Sequence, residues 1–385
     1  MKTNYQSLRP ALLAGIMLTQ MGEAYSTMAQ SNGWSEEAPL PYTAEGVLAA
    51  PVNGLLYVGG GNNEGPLSSF YVYNPISNQW SELASMPGPR CNPPGAGVIS
   101  NKLYFVGGWT TVPPLPNSQL WVYDPVANSW DTSRASMPVL SAQGAGGVIT
   151  NKYYVTTPYD GYSGAVNFLH VYDPSLNTWT QLASSPIAHI DPGYGVIGGK
   201  FYVVGGANNS GVIVSQLDVY DPVANSWTTH SAMPTARQAP ASAVVNGKLY
   251  VIGGYNGTNL LNITEVYDPN SDSWTTGVPM ITSRDETTGA SLNGVIYAIG
   301  GVNSGQDIAN NEAFNPAPTL TIQMYPGITI NADVGSINEI QYVNNLNNTN
   351  WSTLTNLVLP SDPYVFIDFT AIGQPQRFYR DVLLP

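Results

Sequence analysis

Five tryptophans, Trp80, Trp130, Trp179, Trp227 and Trp274, recur at steps of 50, 49, 48 and 47 residues, each a few positions after a Tyr-Asp-Pro or Tyr-Asn-Pro. One supersecondary unit is copied along the chain. A unit this short cannot bury its own apolar faces, so the copies must lean on one another and build an array or a ring.

A second marker precedes each tryptophan: an apolar run closing on two glycines, at Gly59-Gly60, Gly107-Gly108, Gly205-Gly206, Gly253-Gly254 and Gly300-Gly301. The third copy lacks it, since Tyr153-Tyr154-Val155 runs into Thr156-Thr157. Losing the glycine turn there predicts a locally different backbone. Each copy reads as four short strands. Asn101-Lys102, Asn151-Lys152, Asn246-Gly247 and Asn293-Gly294 supply a two-residue hairpin between the first and second. An Asp-Pro turn such as 124–128 or 221–225 joins the third to the fourth. The strands are apolar on both sides, which predicts sheets stacked face to face around an axis.

The double glycine, the Tyr-Asp-Pro and the spaced Trp resemble the kelch repeat family of β-propellers, and the resemblance covers residues 34 to 316. It implies an all-β, six-bladed kelch β-propeller. The last copy has three strands, at 289, 295 and 311, and no Trp at the repeat position a few residues after Pro316. Trp34, followed by Ser-Glu-Glu-Ala-Pro-Leu-Pro, matches the fourth-strand pattern and precedes Trp80 by 46. It is therefore expected to pair with residues 311–316 and close the ring, leaving no sheet edge at the join.

The ends lie outside the repeat. Lys2 and Arg9 precede an apolar run from Ala11 to Leu18, with Thr-Met-Ala at 27–29, so residues 1–29 read as a signal peptide and the chain as secreted or periplasmic. The run is too short to span a bilayer. Residues 317–385 alternate in strand fashion at 319–325, 337–343 and 364–369, which predicts a small C-terminal β-sandwich. This segment loosely resembles short carboxy-terminal modules of secreted bacterial proteins. With one cysteine, Cys91, no internal disulfide can form. A net charge of −13 argues against nucleic acid and anionic membranes as partners. A monomer is expected.

Propeller topology puts the inter-blade loops and the loops after the glycine pairs on one rim, where function is expected. The inter-blade loops bring Ala44, Arg90, Ser141, His189, Arg237 and Arg284 to equivalent positions. Three guanidiniums and an imidazole there would make a pocket for an anionic group. Equally, each Arg could bond loop carbonyls or a carboxylate such as Asp285 or Glu286 within the scaffold. Trp109, Tyr159 and Tyr255 beside several asparagines suit a sugar face. The favoured reading is a binding module for a glycan or a protein ligand, without cofactor, rather than an enzyme. Copper-radical oxidases share a kelch-type propeller, but His170, His189 and His230 fall in unlike places and suggest no metal site. The alternative, from similarity to six-bladed bacterial sialic acid mutarotases, is an epimerase acting on an acidic sugar. Glu45 or Glu286 would then serve as acid or base.

Overall fold

The computed structural model describes residues 33–110, 115–160 and 164–316, and, beyond them, 327–330, 337–343, 350–358, 364–367 and 378–384. The segment read as a signal peptide and the strand expected at 319–325 lie outside the described residues.

Six four-stranded antiparallel sheets form the propeller. Their first strands, Glu45–Val52, Gly97–Ile99, Gly146–Ile149, Gly193–Ile197, Ala241–Val245 and Thr288–Leu292, touch one another around the axis and open blades 1 to 6. Blade 6 takes its outer strand from the other end of the chain: Trp34–Glu36 pairs antiparallel with Asn311–Phe314, Trp34 opposite Phe314. The two rings stack at 5.3 Å. The expected closure is what the chain does.

The repeated tryptophan is a bolt between blades. Each indole N–H donates to a carbonyl of the preceding blade's loop: Trp80 to Ala38, Trp130 to Ala84, Trp179 to Ala135, Trp227 to Ala183 and Trp274 to Ser231, at 2.8–3.0 Å. Trp34 donates to Val278 at 3.0 Å in the same way, which makes it the sixth of the series. The tyrosine of each Tyr-Asp-Pro is also fixed, with Tyr123, Tyr172 and Tyr220 donating to Asn128, Asn177 and Asn225 at 2.7–2.8 Å. Between blades the packing is apolar on both faces, as the strand composition implies. No cluster spans the whole ring, so stability is summed over neighbouring interfaces.

The glycine pairs are turn residues whose second N–H donates to a carbonyl of the next inter-blade loop. Gly108 bonds Ser141, Gly206 bonds Arg237 and Gly254 bonds Arg284, at 2.8–2.9 Å. Gly206 has φ +78°, and a Cβ there would sit 2.4 Å from the Ile190 carbonyl oxygen, so only glycine fits. In blade 1 the left-handed pair is Gly60-Gly61, one residue later than the sequence suggested. In blade 3 the equivalent residues are Thr157-Pro158. Proline has no N–H to give, so the second strand runs on to Tyr159 and the third starts at Ala165, giving strands of eight and nine residues where other blades mostly have five. The first hairpins also shift by one: Ser100-Asn101 and Thr150-Asn151 carry the positive φ values.

Residues 317–385 form a separate compact unit. Its described strands make two small sheets. Gly327–Ile330 pairs with Tyr364–Ile367, while Ile337–Val343 lies between Ser352–Val358 and Phe378–Leu383. Among the described residues no helix is long and apolar enough to cross a membrane.

Candidate functional site at the propeller axis

The inter-blade loops and the loops after the second strands share a rim, as topology requires. Cys91 bridges Trp109, Ala142 bridges Tyr159, Gln238 bridges Tyr255 and Asp285 bridges Val302. The arginines do not point into that rim. Arg237 is fully buried, donates to Gly253 and Ile263 carbonyls at 3.1 and 3.2 Å, and is ion-paired with Glu265 on the third strand of its blade. Arg284 is likewise buried on Glu312 and the Ala298 carbonyl. His189 takes the same role in blade 4, with both ring nitrogens facing acceptors, the Gly205 carbonyl at 2.7 Å and Asp218 at 3.1 Å.

Blade 2 replaces the carboxylate by Trp121, whose ring lies 4.1 Å under the Arg90 guanidinium. Arg90 is 4% exposed and bonded to Pro89 and Gln119, and burial lowers its pKa to about 10. In blade 3 the equivalent residues are Ser141 and His170, both buried, and burial pulls the His170 pKa down to about 4. The anionic pocket expected from Arg90, His189, Arg237 and Arg284 is thus corrected. These side chains close their own blades, because a buried guanidinium must find its partners, a carboxylate, carbonyls or a ring face, where it lies. Arg237→Ala is expected to cost about 3–5 kcal/mol of stability by orphaning Glu265. Urea unfolding measures it, and a loss of ligand binding without loss of stability would return Arg237 to the site.

What faces the axis is the residue two positions further on. Gly46, Asn92, Gln143, Asp191, Ala239 and Glu286, one per blade, all have φ between +46° and +58°. Their backbones hand one another around the axis: Gly46 N–H donates to Glu286 O, Asn92 to Gly46, Gln143 to Asn92, Asp191 to Gln143 and Ala239 to Asp191, at 2.8–2.9 Å. They line a cavity of about 70 Å³. Tyr194 and Gly95 line the same cavity, and a Cβ at Gly95 would meet the Tyr194 hydroxyl at 2.2 Å, so the tyrosine fills the space that a side chain there would need.

Two carboxyls, Asp191 and Glu286, flank Ala239 in this ring, and each is oriented by an amide. Gln143 Nε2 donates to Asp191 Oδ2 at 2.6 Å, and Asn92 Nδ2 donates to Glu286 Oε2 at 2.8 Å. Asn92 reaches Glu286 by passing over Gly46, whose missing Cβ would lie 1.4 Å from Asn92 Oδ1. Burial, and then the nearby Asp285 and Glu45 charges, raise Asp191 to about 7. Burial and the charges of Asp191, Glu45 and Asp285 push Glu286 well above its ordinary range. A carboxyl raised to about 7, as Asp191 is, can trade protons near neutrality.

Of the residues singled out from sequence, only Glu286 lines the cavity. Trp109 and Tyr159 are half-buried on the rim with ring centroids 5.2 Å apart, and Tyr255 stands on the Gln238 and Leu260 bridges. Asp191, Asn92 and Gln143 were missed. The repeat register held the signal: the two-residue offset from Arg90, Ser141 and His189 marks them in every copy.

Comparison with known proteins agrees with this architecture. The family described as the KLHDC2/KLHL20/DRC7 Kelch-repeats domain matches residues 25–193 and 96–301. Kelch-like ECH-associated protein 1B of Danio rerio is 40% identical over 83 residues, 20% of this chain and 14% of that protein. N-acetylneuraminate epimerase of Pasteurella multocida is 38% identical over 84 residues, 20% of this chain and 22% of that protein. The chain thus spans under a quarter of the length of these relatives. The solved structure of YjhT superposes with a TM-score of 0.62 at 20% identity, covering 72% of this chain and 96% of that one, and shares the fold. The preference for a binder over an enzyme is corrected by the likeness to N-acetylneuraminate epimerase, an enzyme by name.

Proposed function

The chain belongs to the kelch-repeat family, and from that premise we propose that it is a mutarotase- or epimerase-like enzyme that opens and recloses the ring of a sugar at the propeller axis. The observation that carries this reading is the pair of amide-oriented, proton-retaining carboxyls, Asp191 and Glu286, in one cavity. Glu286, which burial and its acidic neighbours make reluctant to ionise, is the acid, and Asp191, raised to about 7, is the base in its ionised form. Asp191 takes the proton of the anomeric hydroxyl while Glu286 protonates the ring oxygen. The bond from anomeric carbon to ring oxygen breaks to give the open-chain carbonyl, and rotation followed by the reverse transfers closes the other anomer. Atoms and protons balance with no co-reactant.

A cavity of about 70 Å³ admits one end of a sugar, well short of the roughly 300 Å³ of a pocket that encloses a small ligand. The anomeric end therefore enters, and the rest of the ring lies in the rim beside the half-buried aromatics. The Pasteurella relative's name supports an acidic sugar as the second reading. Export belongs to the same proposal and rests on the pattern of residues 1–29.

Pure anomers of a neutral aldose, an amino sugar and N-acetylneuraminate, followed by NMR or polarimetry at pH 7, test the activity. Exchange faster than in buffer, in proportion to protein, is expected for at least one. No acceleration of any of them discards the enzyme.

A further inference from the structure

Among the described residues that line the axial cavity, Tyr194 on the first strand of blade 4 is the one aromatic side chain. It stands three positions after Asp191, where the other blades carry Ala49, Gly95, Gly146, Ser242 and Gly289. One copy in six therefore presents a large group there. Its ring reaches Gly95 of blade 2, where a Cβ would lie 2.2 Å from the hydroxyl oxygen and 2.4 Å from the carbon that bears it, so glycine at 95 makes the room. Ser242 of blade 5 fixes the backbone from which the ring projects, accepting from the Tyr194 N–H at 2.9 Å and donating to its carbonyl at 3.0 Å. The phenol is placed before any ligand arrives, which lowers the cost of binding.

Two phenols meet at Gly95, and the protein uses one of them. Tyr153 is fully buried and donates to the Gly95 carbonyl at 2.6 Å. Tyr194 is half-buried, and among the described residues its hydrogen bonds all run through its backbone. Burial raises its hydroxyl to about 12, with no charged neighbour acting on it, so it stays a neutral donor and acceptor at any working pH. A phenol that lines a cavity and is bonded to no protein group is available to whatever enters.

We infer that Tyr194 reads the hydroxyl on the carbon next to the anomeric carbon, so that the protein prefers an aldose carrying that hydroxyl over its deoxy analogue. This rests on the proposed ring-opening activity and narrows its substrate. Asp191 and Glu286 take the anomeric hydroxyl and the ring oxygen, and the remaining oxygen at that end of an aldose is the hydroxyl on the neighbouring carbon. In a cavity of about 70 Å³, a group on the wall touches what enters. The phenol donates to that hydroxyl or accepts from it, and the ring limits how far the sugar goes in, which holds the anomeric carbon where the carboxyls act. N-acetylneuraminate has a methylene in that ring position and gives the phenol nothing to bond there.

The test compares wild type with Tyr194→Phe, which removes the hydroxyl and keeps the ring. Binding by calorimetry and anomer exchange by NMR are measured for glucose, galactose, their 2-deoxy forms and N-acetylneuraminate. Wild type is expected to bind at least one parent aldose about 2–10-fold more tightly than its 2-deoxy form, the worth of one neutral hydrogen bond. In Tyr194→Phe the parent should weaken to the level of the deoxy sugar, whose own binding stays unchanged. A merely structural tyrosine would weaken both sugars alike. That equal loss, a preference that survives in the variant, no preference in wild type, binding of neither parent, or tighter binding of N-acetylneuraminate overturns the inference. If sugars are anomerised without the 2-hydroxyl preference, the ring-opening reading stands and the role of Tyr194 falls. If the preference appears in binding and no sugar is anomerised, the catalytic reading falls and the Tyr194 contact stands.

Discussion

Asp191→Asn lowers the protein-catalysed rate of anomer exchange by about 10²–10⁴-fold, the range for losing a positioned acid or base. Fold is kept, because the asparagine carbonyl can still accept from Gln143 Nε2, as Asp191 Oδ2 does. The wild-type rate should rise through about pH 7 as Asp191 ionises, and the variant should lose that limb. Stability gives an independent readout. The native state keeps the Asp191 proton to about pH 7, whereas the unfolded chain releases it near the ordinary carboxyl value of about 4. The native state therefore binds the extra proton between those values. Its contribution is full below about pH 4 and is lost as pH rises through 7, by up to about 4 kcal/mol. In Asp191→Asn this slope flattens. Urea unfolding at pH 5 and pH 8 measures it, and an unchanged exchange rate at pH 7 removes Asp191 from the chemistry.

Trp34→Ala is expected to destabilise the propeller by about 3–5 kcal/mol, the cost of deleting a buried large aromatic. The effect is not confined to one side chain. Trp34 stacks on Phe314, packs in the cluster that joins blades 5 and 6, and donates to Val278, so its loss loosens the strand that joins the two ends of the propeller. Hydrogen exchange should quicken in Val295–Ile299 and Asn311–Phe314 before the other blades open. A loss below about 1 kcal/mol would mean that ring closure at this strand contributes little to holding the fold.

The two predictions stand at opposite ends of what could be read without coordinates. Trp34 was found by counting, because an indole 46 residues before Trp80 obeys the period of the other five. The loss of the glycine pair after Val155, read at Thr156-Thr157, likewise announced an altered blade 3, and the structure shifts it by one residue to Thr157-Pro158, where the missing proline N–H explains it. The arginines show the limit. Their residue type and shared loop position suggested an anion site, yet Arg237 meets Glu265 and Arg284 meets Glu312 on third strands 28 residues later. The partners were readable as a second column of the repeat, alongside His189 with Asp218 and Arg90 with Trp121, but only the strand pairing shows that the two columns touch.

The period of the tryptophans and glycines alone determined six blades, their closure through Trp34 and the rim where inter-blade loops meet, since these depend on local turn chemistry and on apolar faces needing neighbours. Which side chain on each loop faces the axis was decided only by the tertiary structure. A left-handed residue in every blade turns Asn92, Gln143, Asp191 and Glu286 inward and their neighbours two positions earlier into the blades, and the acidity of the site arises from crowding carboxyls that are distant in sequence.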